Sequence, residues 1–302
     1  MRIATRLCLA AALCVGASAH AEIAFGLTEA SRLIRFDTAN IAGRADVAAI
    51  TGVVAGQTLK AIDFRPSDAR LYAVSTNTAG TAGQLYTINL ATGAATAVGA
   101  GFALTGNSST RVSIDFNPVA NALRVVTGGG QSYRVNANSG ALIAQDTSVA
   151  GNPLISGIAY TNNVAGATQT TLYAFDFLTD QLGTIGGVNG VPSPNGGTFN
   201  IVGAAGIVTG DAGAGFDISG ATGTAYFSVD DFNGSAGIGD EFFSVNLATG
   251  GFTQIGADDV FIGAFNLLDF SIEVPTPGSL ALALAGLGLV ASTRRRQPVA
   301  LA

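Results

Sequence analysis

Three aspartates stand at matching places in similar stretches of sequence. They are Asp63 in Ala61-Ile62-Asp63-Phe64-Arg65-Pro66, Asp115 in Ser113-Ile114-Asp115-Phe116-Asn117-Pro118, and Asp217 in Gly215-Phe216-Asp217-Ile218. If the units that carry them surround a common channel, their carboxylates become hard oxygen ligands of the kind that hold Ca²⁺. The structural alternative is that each Asp caps a turn or strand end inside its own unit, because repeats reuse such devices. A second acidic stretch, from Asp230 to Glu241, offers Asp231, Asn233 and Asp240 as oxygen donors at loop spacing, a weaker Ca²⁺ candidate. It is not an EF-hand, since the sixth position counted from Asp231 is Ala236 instead of Gly and the twelfth is Phe242 instead of Glu. The plain reading of that stretch is a solvated acidic loop, and Asp258-Asp259 is a fainter version of it.

Arg65, Arg124 and Arg134 fall in recurrent motifs that are otherwise short of charge. They could grip an anionic ligand, but the favoured reading is that they pair with nearby Asp residues between units, which satisfies polar groups close to the core. The run Gly128-Gly129-Gly130 lacks the following Lys-Ser/Thr and helix that a phosphate cradle needs, and reads as a turn. Cys8, Cys14, Met1 and His20 all precede a cleavage point predicted after Ala21, and the chain has no Trp. The mature protein therefore lacks histidine-based triads, thiol nucleophiles and the commonest zinc sites. What remains chemically is paired carboxylates, as in glycoside hydrolysis, or Ca²⁺-assisted hydrolysis.

Strands must position these residues, because period-2 alternation with Gly, Asn and Asp punctuation dominates and no helical periodicity competes. Gln84-Leu85-Tyr86-Thr87-Ile88-Asn89-Leu90-Ala91-Thr92-Gly93 has a close copy in Glu241-Phe242-Phe243-Ser244-Val245-Asn246-Leu247-Ala248-Thr249-Gly250. Looser copies end at Asp37, Asn136 and Asp176. In each, the Asx side chain can hold the turn backbone and Gly supplies positive φ, so these are predicted hairpin tips. The Asx positions 37, 89, 136, 176 and 246 are spaced 52, 47, 40 and 70, the last gap carrying an insertion from Gly183 to Asn200 with Pro192 and Pro194.

With the Asp-bearing element before most hairpins, each unit has four antiparallel strands, the blade of a β-propeller. Full blades begin near Leu59, Arg111, Ile155 and Gly213. A fifth would form from the chain ends, Phe261 to Ile272 beside Ile23 to Gly52, which removes the free sheet edges. The expectation is an all-β, propeller-like ring of five four-stranded blades; a β-sandwich or β-solenoid is the competitor. The runs Ile62 to Pro66 with Leu71-Tyr72, Ile114 to Pro118 with Leu123 to Val126, Gln131 to Asn136 with Gly140, and Ala159 to Asn162 with Thr171 to Tyr173 resemble a bacterial family of unknown function, the DUF4394 domain. The resemblance spans most of residues 23 to 274 and implies no activity, cofactor or catalytic residue.

The ends read as addresses. Arg2 and Arg6, the apolar run Leu7 to Ala17 and Ala19-His20-Ala21 form a secretory signal peptide over residues 1–21, with cleavage at Ala21. A lipoprotein signal using Cys14 is the rival, with bulky Leu13 where a small residue is expected. Residues 22–274 form the β domain, and residues 275–302 a tail. In the tail region Val274, Pro275 and Pro277 precede an apolar, helix-competent stretch from Leu280 to Ala291 and the cluster Arg294, Arg295 and Arg296. Twelve helical residues span roughly 18 Å, short of a bilayer core of about 30 Å. The order of parts resembles the PEP-CTERM sorting signal, with Thr276 where that family has Glu. That resemblance implies processing by an exosortase-like enzyme, transient inner-membrane contact through the helix, and extracellular polysaccharide as a partner.

Between the ends, nine basic residues face twenty acidic ones, a net charge of −11, and no base occurs from Val135 to Val274. Such a surface argues against nucleic acid as a partner. Taken together, these features predict an exported, non-catalytic protein of the cell envelope or extracellular matrix that binds or organises a surface component such as exopolysaccharide. It needs no cofactor, with Ca²⁺ the one candidate. The alternative is a secreted carboxylate- or Ca²⁺-dependent hydrolase on a propeller scaffold.

Overall fold

The hairpin chemistry operates as the sequence predicts. In the computed structural model, which describes residues 21–105, 111–209, 215–230, 239–257, 260–262 and 265–274, Asn89 Oδ1 accepts from the amides of Ala91 and Thr92. Asn136 does the same for Asn138 and Ser139, and Asn246 for Ala248 and Thr249. Gly93, Gly140 and Gly250 complete these turns at φ of +69°, +68° and +83°. The side chain replaces a backbone partner and the glycine reverses the chain, so the turn sequence sets the hairpin register.

The strands so connected form five antiparallel sheets, four of four strands and one in which a short fifth strand joins the four. The first blade takes β1 (Ile23–Thr28), β2 (Arg32–Asp37) and β3 (Asn40–Ala49). The second is β4 (Gln57–Arg65), β5 (Arg70–Asn77), β6 (Ala82–Ile88) and β7 (Ala95–Ala103). The third is β8 (Val112–Asn117), β9 (Ala122–Thr127), β10 (Ser132–Val135) and β11 (Leu142–Gln145). The fourth is β12 (Ile155–Tyr160), β13 (Leu172–Asp176), β14 (Gln181–Ile185) and β15 (Phe199–Ala204). The fifth is β16 (Phe216–Ile218), β17 (Ala225–Asp230), β18 (Gly239–Val245) and β19 (Phe252–Gln254), with β20 (Phe261–Ile262) also paired to β18.

Finally β21 (Leu267–Ile272) pairs with β1 in the register Phe25↔Ser271, so the chain's two ends complete the first blade. The strands β21, β4, β8, β12 and β16 lie side by side as a closed inner ring. Apolar side chains fill the seams between blades, one cluster to each. Tyr72, Val74 and Leu85 meet Ile114, Phe116 and Tyr133 between the second and third blades, and Phe36 meets Phe242, Phe261 and Phe270 between the fifth and first. Each such side chain, fully buried, contributes about 1.5–3 kcal/mol. Seam burial, renewed at every blade, holds the ring without disulfides.

The hairpin tips also set the distance between blades. Gly140, at the β10–β11 turn, lies against Val98 and Gly99 on β7 of the preceding blade, so that a Cβ on Gly140 would stand 2.0 Å from the Val98 carbonyl oxygen. Gly140→Ala therefore meets both a left-handed backbone and a backbone clash that no rotamer relieves. It is expected to destabilise the protein by about 2–4 kcal/mol, read as a lowered urea midpoint at unchanged slope.

Several expectations need correction. Asp176 ends β13, the second strand of its blade, whereas Asn89, Asn136 and Asn246 follow third strands; similar turn chemistry serves two different hairpins. Phe261–Ile262 pairs with β18 in the fifth blade, so only Leu267–Ile272 joins the N-terminal strands. The insertion is narrower than predicted, because its ends at Gly183 and Asn200 are paired strand residues of β14 and β15. Residues 1–20 of the leader and 275–302 of the tail, with Pro275, Pro277 and Arg294 to Arg296, lie outside the described residues. Ala21 is exposed and Val274 is buried beside Phe25 and Phe64. Among the described residues no helix is long and apolar enough to cross a membrane.

Candidate metal centre

The innermost strand of each blade pairs with its neighbour on one side only, so its other edge carries backbone N–H groups that need acceptors within a buried ring. Side chains at one level of the ring supply them across the seams. Asp63 Oδ2 on β4 accepts from the Phe116 amide on β8 at 2.7 Å, and Asp217 Oδ2 on β16 from the Ile272 amide on β21 at 2.6 Å. Ser271 Oγ on β21 accepts from the Phe64 amide on β4 at 3.1 Å. In each case the donor directly follows the residue level with the acceptor, which places Asp63, Asp115, Ala159, Asp217 and Ser271 on one ring. A second ring lies two residues away, where Asp269 accepts from Ile62 at 2.8 Å and Ser113 from Ile158 at 2.9 Å. The capping predicted for these Asp residues thus exists, but it runs between blades and not within one.

The same level brings the three aspartates together. One oxygen from each of Asp63, Asp115 and Asp217 lies within 4.8 Å of the others, and the residues are 2%, 1% and 1% exposed. Ser271 Oγ stands 2.9 Å from both Asp63 Oδ1 and Asp217 Oδ2. A hydroxyl has one proton and can donate to only one of them, so the other contact requires a proton on the carboxyl itself or a cation between the groups. Asp115 differs from its neighbours: neither of its buried oxygens has a partner at hydrogen-bonding geometry, and the Tyr160 amide is the one backbone donor that still favours its charged form.

Burial is the main cause that pushes all three carboxyls up, Asp63 and Asp115 well above the ordinary aspartate range and Asp217 to about 6. Mutual repulsion adds to it at Asp63 and Asp115, and the amides and the Ser271 hydroxyl oppose it at Asp63 and Asp217. The largest influences on the trio besides burial are other carboxylates and N–H or O–H donors. Buried like charges without a counterion must take up protons or hold a cation. All-oxygen ligands select a hard cation such as Ca²⁺ or Mg²⁺, and a set of three oxygens lying within 4.8 Å of one another is compact enough to share one ion.

The expectation that the chain is not an enzyme is overturned by this cluster. A buried set of carboxylates capable of coordinating a metal ion has catalytic potential, and matched sequence positions alone could not show that the three converge. Sequence reasoning also missed Ser271 and Asp269. The signal for them was Leu268-Asp269-Phe270, which repeats Ile62-Asp63-Phe64, although it is Ser271 that stands level with Asp63.

The remaining predicted residues lie elsewhere. Asp240 is buried on β18, where its Oδ2 accepts from the Leu267 amide, and Asp231, Asn233 and the pair Asp258-Asp259 lie outside the described residues. Arg124 and Arg134 share Asp146, and Arg65 pairs with Asp68 while reaching Asn121 and Asn138 of the third blade.

Comparison with known proteins agrees with the family resemblance: the family model described as "Domain of unknown function (DUF4394)" matches residues 32–260. No curated protein matches the chain in sequence. Among solved structures, the crystal structure of a nidogen/laminin complex is 11% identical with a TM-score of 0.41, covering 84% of this chain and 99% of that one. A protein of unknown function from Bacteroides thetaiotaomicron is 13% identical with a TM-score of 0.48, covering 85% and 66%. The calcium-binding protein regucalcin from Agrobacterium tumefaciens is 13% identical with a TM-score of 0.39, covering 68% and 66%. At such identities and TM-scores none of the three carries information on activity.

Proposed function

The chain belongs to the DUF4394 family, whose description assigns no activity, and from its own residues we propose that it is a Ca²⁺-dependent hydrolase on a five-bladed propeller, held together and activated at the axis by Asp63, Asp115 and Asp217. The observation that carries this reading is the convergence of three buried carboxylates within 4.8 Å. Asp63 and Asp217 are oriented by Phe116, Ile272 and the shared Ser271 hydroxyl, while Asp115 has both oxygens free of well-formed hydrogen bonds. Two ligands are thus pre-aimed and the third is ready to engage. A bound Ca²⁺ would supply Lewis acidity toward an oxygen of the substrate and would neutralise the repulsion among the three groups.

Export places this activity at the cell envelope or beyond it. The leader ending at Ala21 supports that location, as does the tail with Val274, Pro275, Pro277 and Arg294 to Arg296, which suits an exosortase-like enzyme and transient membrane contact. Surface polysaccharide is accordingly the substrate class to try first. The test is calorimetric titration of the purified protein with Ca²⁺ and Mg²⁺, alongside a glycan hydrolysis screen with and without chelator. Ca²⁺ is expected to bind, to add about 2.7 kcal/mol of stability at a hundredfold excess over Kd, and to be required for turnover. Absence of both Ca²⁺ binding and chelator-sensitive hydrolysis would defeat the proposal.

A further inference from the structure

A second site lies off the axis, at the seam between the third and fourth blades. The segment between β14 and β15 folds back over the third blade: the Thr147 amide donates to the Asn195 carbonyl and the Ala150 amide to that of Gly197. This encloses a cleft of about 250 Å³ bounded by Asn117, Arg124, Arg134, Thr170, Asn189 and Asn195. The charged residues in its lining are the two arginines.

Arg124 is 2% exposed in its side chain and spends every guanidinium nitrogen. Nε donates to Tyr160 Oη at 3.1 Å, Nη1 to Ser132 Oγ and Asp146 Oδ2 at 2.7 Å each, and Nη2 to Asn195 Oδ1 at 2.6 Å. Arg134, 30% exposed in its side chain, spends Nε and Nη2 on the same Asp146. Among the described residues its Nη1 donates to no acceptor. Two guanidiniums therefore share one carboxylate, which leaves one positive charge in excess on a domain with a net charge of −11. Such a charge, half-sheltered and with a donor to spare, calls for an anion that can accept from a guanidinium.

Beside them, Asn117, Thr170, Asn189 and Asn195 offer neutral amides and hydroxyls, and Val119, Ala122 and Pro194 add apolar surface, a mixture that fits a sugar ring, polar at its rim and apolar on its faces. The volume lies just below the range of about 300–1,000 Å³ typical of sites for drug-sized ligands, which limits the occupant to roughly one sugar ring. We infer that this cleft binds a small polyhydroxylated monocarboxylate of the hexuronate class, its carboxylate on Arg134 and its hydroxyls on the surrounding amides. The site stands apart from the axial carboxylates and does not depend on the activity proposed for them.

Titration of the full protein with glucuronate and with glucose, followed by NMR or calorimetry, tests the inference. Glucuronate is expected to bind, with glucose at least about tenfold weaker, as the loss of one charge-assisted hydrogen bond implies. Arg134→Gln should weaken glucuronate at least about tenfold, and Arg134→Lys should restore part of that loss. Asn189→Ala, which leaves the Arg124–Asp146–Arg134 group untouched, should weaken both sugars severalfold and decides the matter if the arginine variants do not fold. No binding of glucuronate, equal binding of the two sugars, or affinities unmoved by these changes in a folded protein would each overturn it.

Discussion

Asp115→Asn is expected to stabilise the calcium-free protein at neutral pH and, in the same molecule, to remove its response to Ca²⁺. The substitution keeps the side chain's shape and removes a carboxyl that burial and its neighbours push well above the ordinary range, so folding at neutral pH no longer has to bury its charge or protonate it. Asp115 makes no well-formed hydrogen bond that the change would break. Relief of that cost is expected to stabilise by about 1–4 kcal/mol, the range found when buried ion pairs give way to neutral residues, which is several degrees of melting temperature for a domain of this size. Ca²⁺ affinity should fall at least about tenfold, because the site loses a third of its ligand charge. Paired melting curves in chelator and in Ca²⁺ would show both effects. A variant less stable than the parent in chelator would mean that Asp115 is held by interactions the geometry does not contain.

The pH dependence of the calcium-free protein follows from the same cluster, with its sign set by the direction of the shifts. Carboxyls raised in the folded state keep protons that the unfolded chain has already lost. The folded state is then relatively favoured at acid pH, and this advantage disappears as pH climbs from the ordinary aspartate value of 3.8 through the folded value, about 6 for Asp217. That one group accounts for about 3 kcal/mol across the interval, and Asp63 and Asp115 extend the decline to higher pH. Ca²⁺ should flatten the profile by holding the trio ionised. Comparing parent with Asp217→Asn isolates the contribution from that of the other titrating groups.

Arg124→Met is expected to be the most damaging change away from the axis. It deletes bonds to Tyr160, Ser132, Asp146 and Asn195 at once, and so unfastens the third blade from both the fourth blade and its insertion. Tyr160 and Ser132 are fully buried and would lose a charged donor without gaining access to water. Losses of about 3–5 kcal/mol accompany the removal of one partner from a buried ionic network. Arg134→Met also breaks a pair with Asp146, but at a partly exposed site where exposed pairs contribute roughly 0–1 kcal/mol. Urea denaturation of the two variants should therefore separate widely. Equal midpoints would show that the buried guanidinium is not what joins these blades.

Much of the architecture was legible along the chain because it depends on short-range chemistry. Asx–Gly spacing marked the turns at Asn89, Asn136 and Asn246, since a side-chain oxygen and a left-handed glycine act within four residues. Alternation assigned strands, because the pleat has a period of two. The strands that begin at Gln57, Val112, Ile155 and Phe216 lie close to the predicted blade starts. Asp176 misled for the same reason: its local turn chemistry is sound, and nothing local says whether a turn follows the second or the third strand of a blade.

By itself, then, the sequence determined the all-β class, the turns, the five-fold repetition and the matched placement of Asp63, Asp115 and Asp217. It also determined the acidic balance and the absence of His and Cys from residues 22–274. Only the tertiary structure decided that the three aspartates meet, that Ser271 joins them in place of Asp269, and that Arg124 ties three segments together. The physical reason is ring closure. Residues such as Asp63 and Ser271 are far apart along the chain, and their separation in space is set by the pairing of β21 with β1 and by the packing of five seams, neither of which is written in any local pattern.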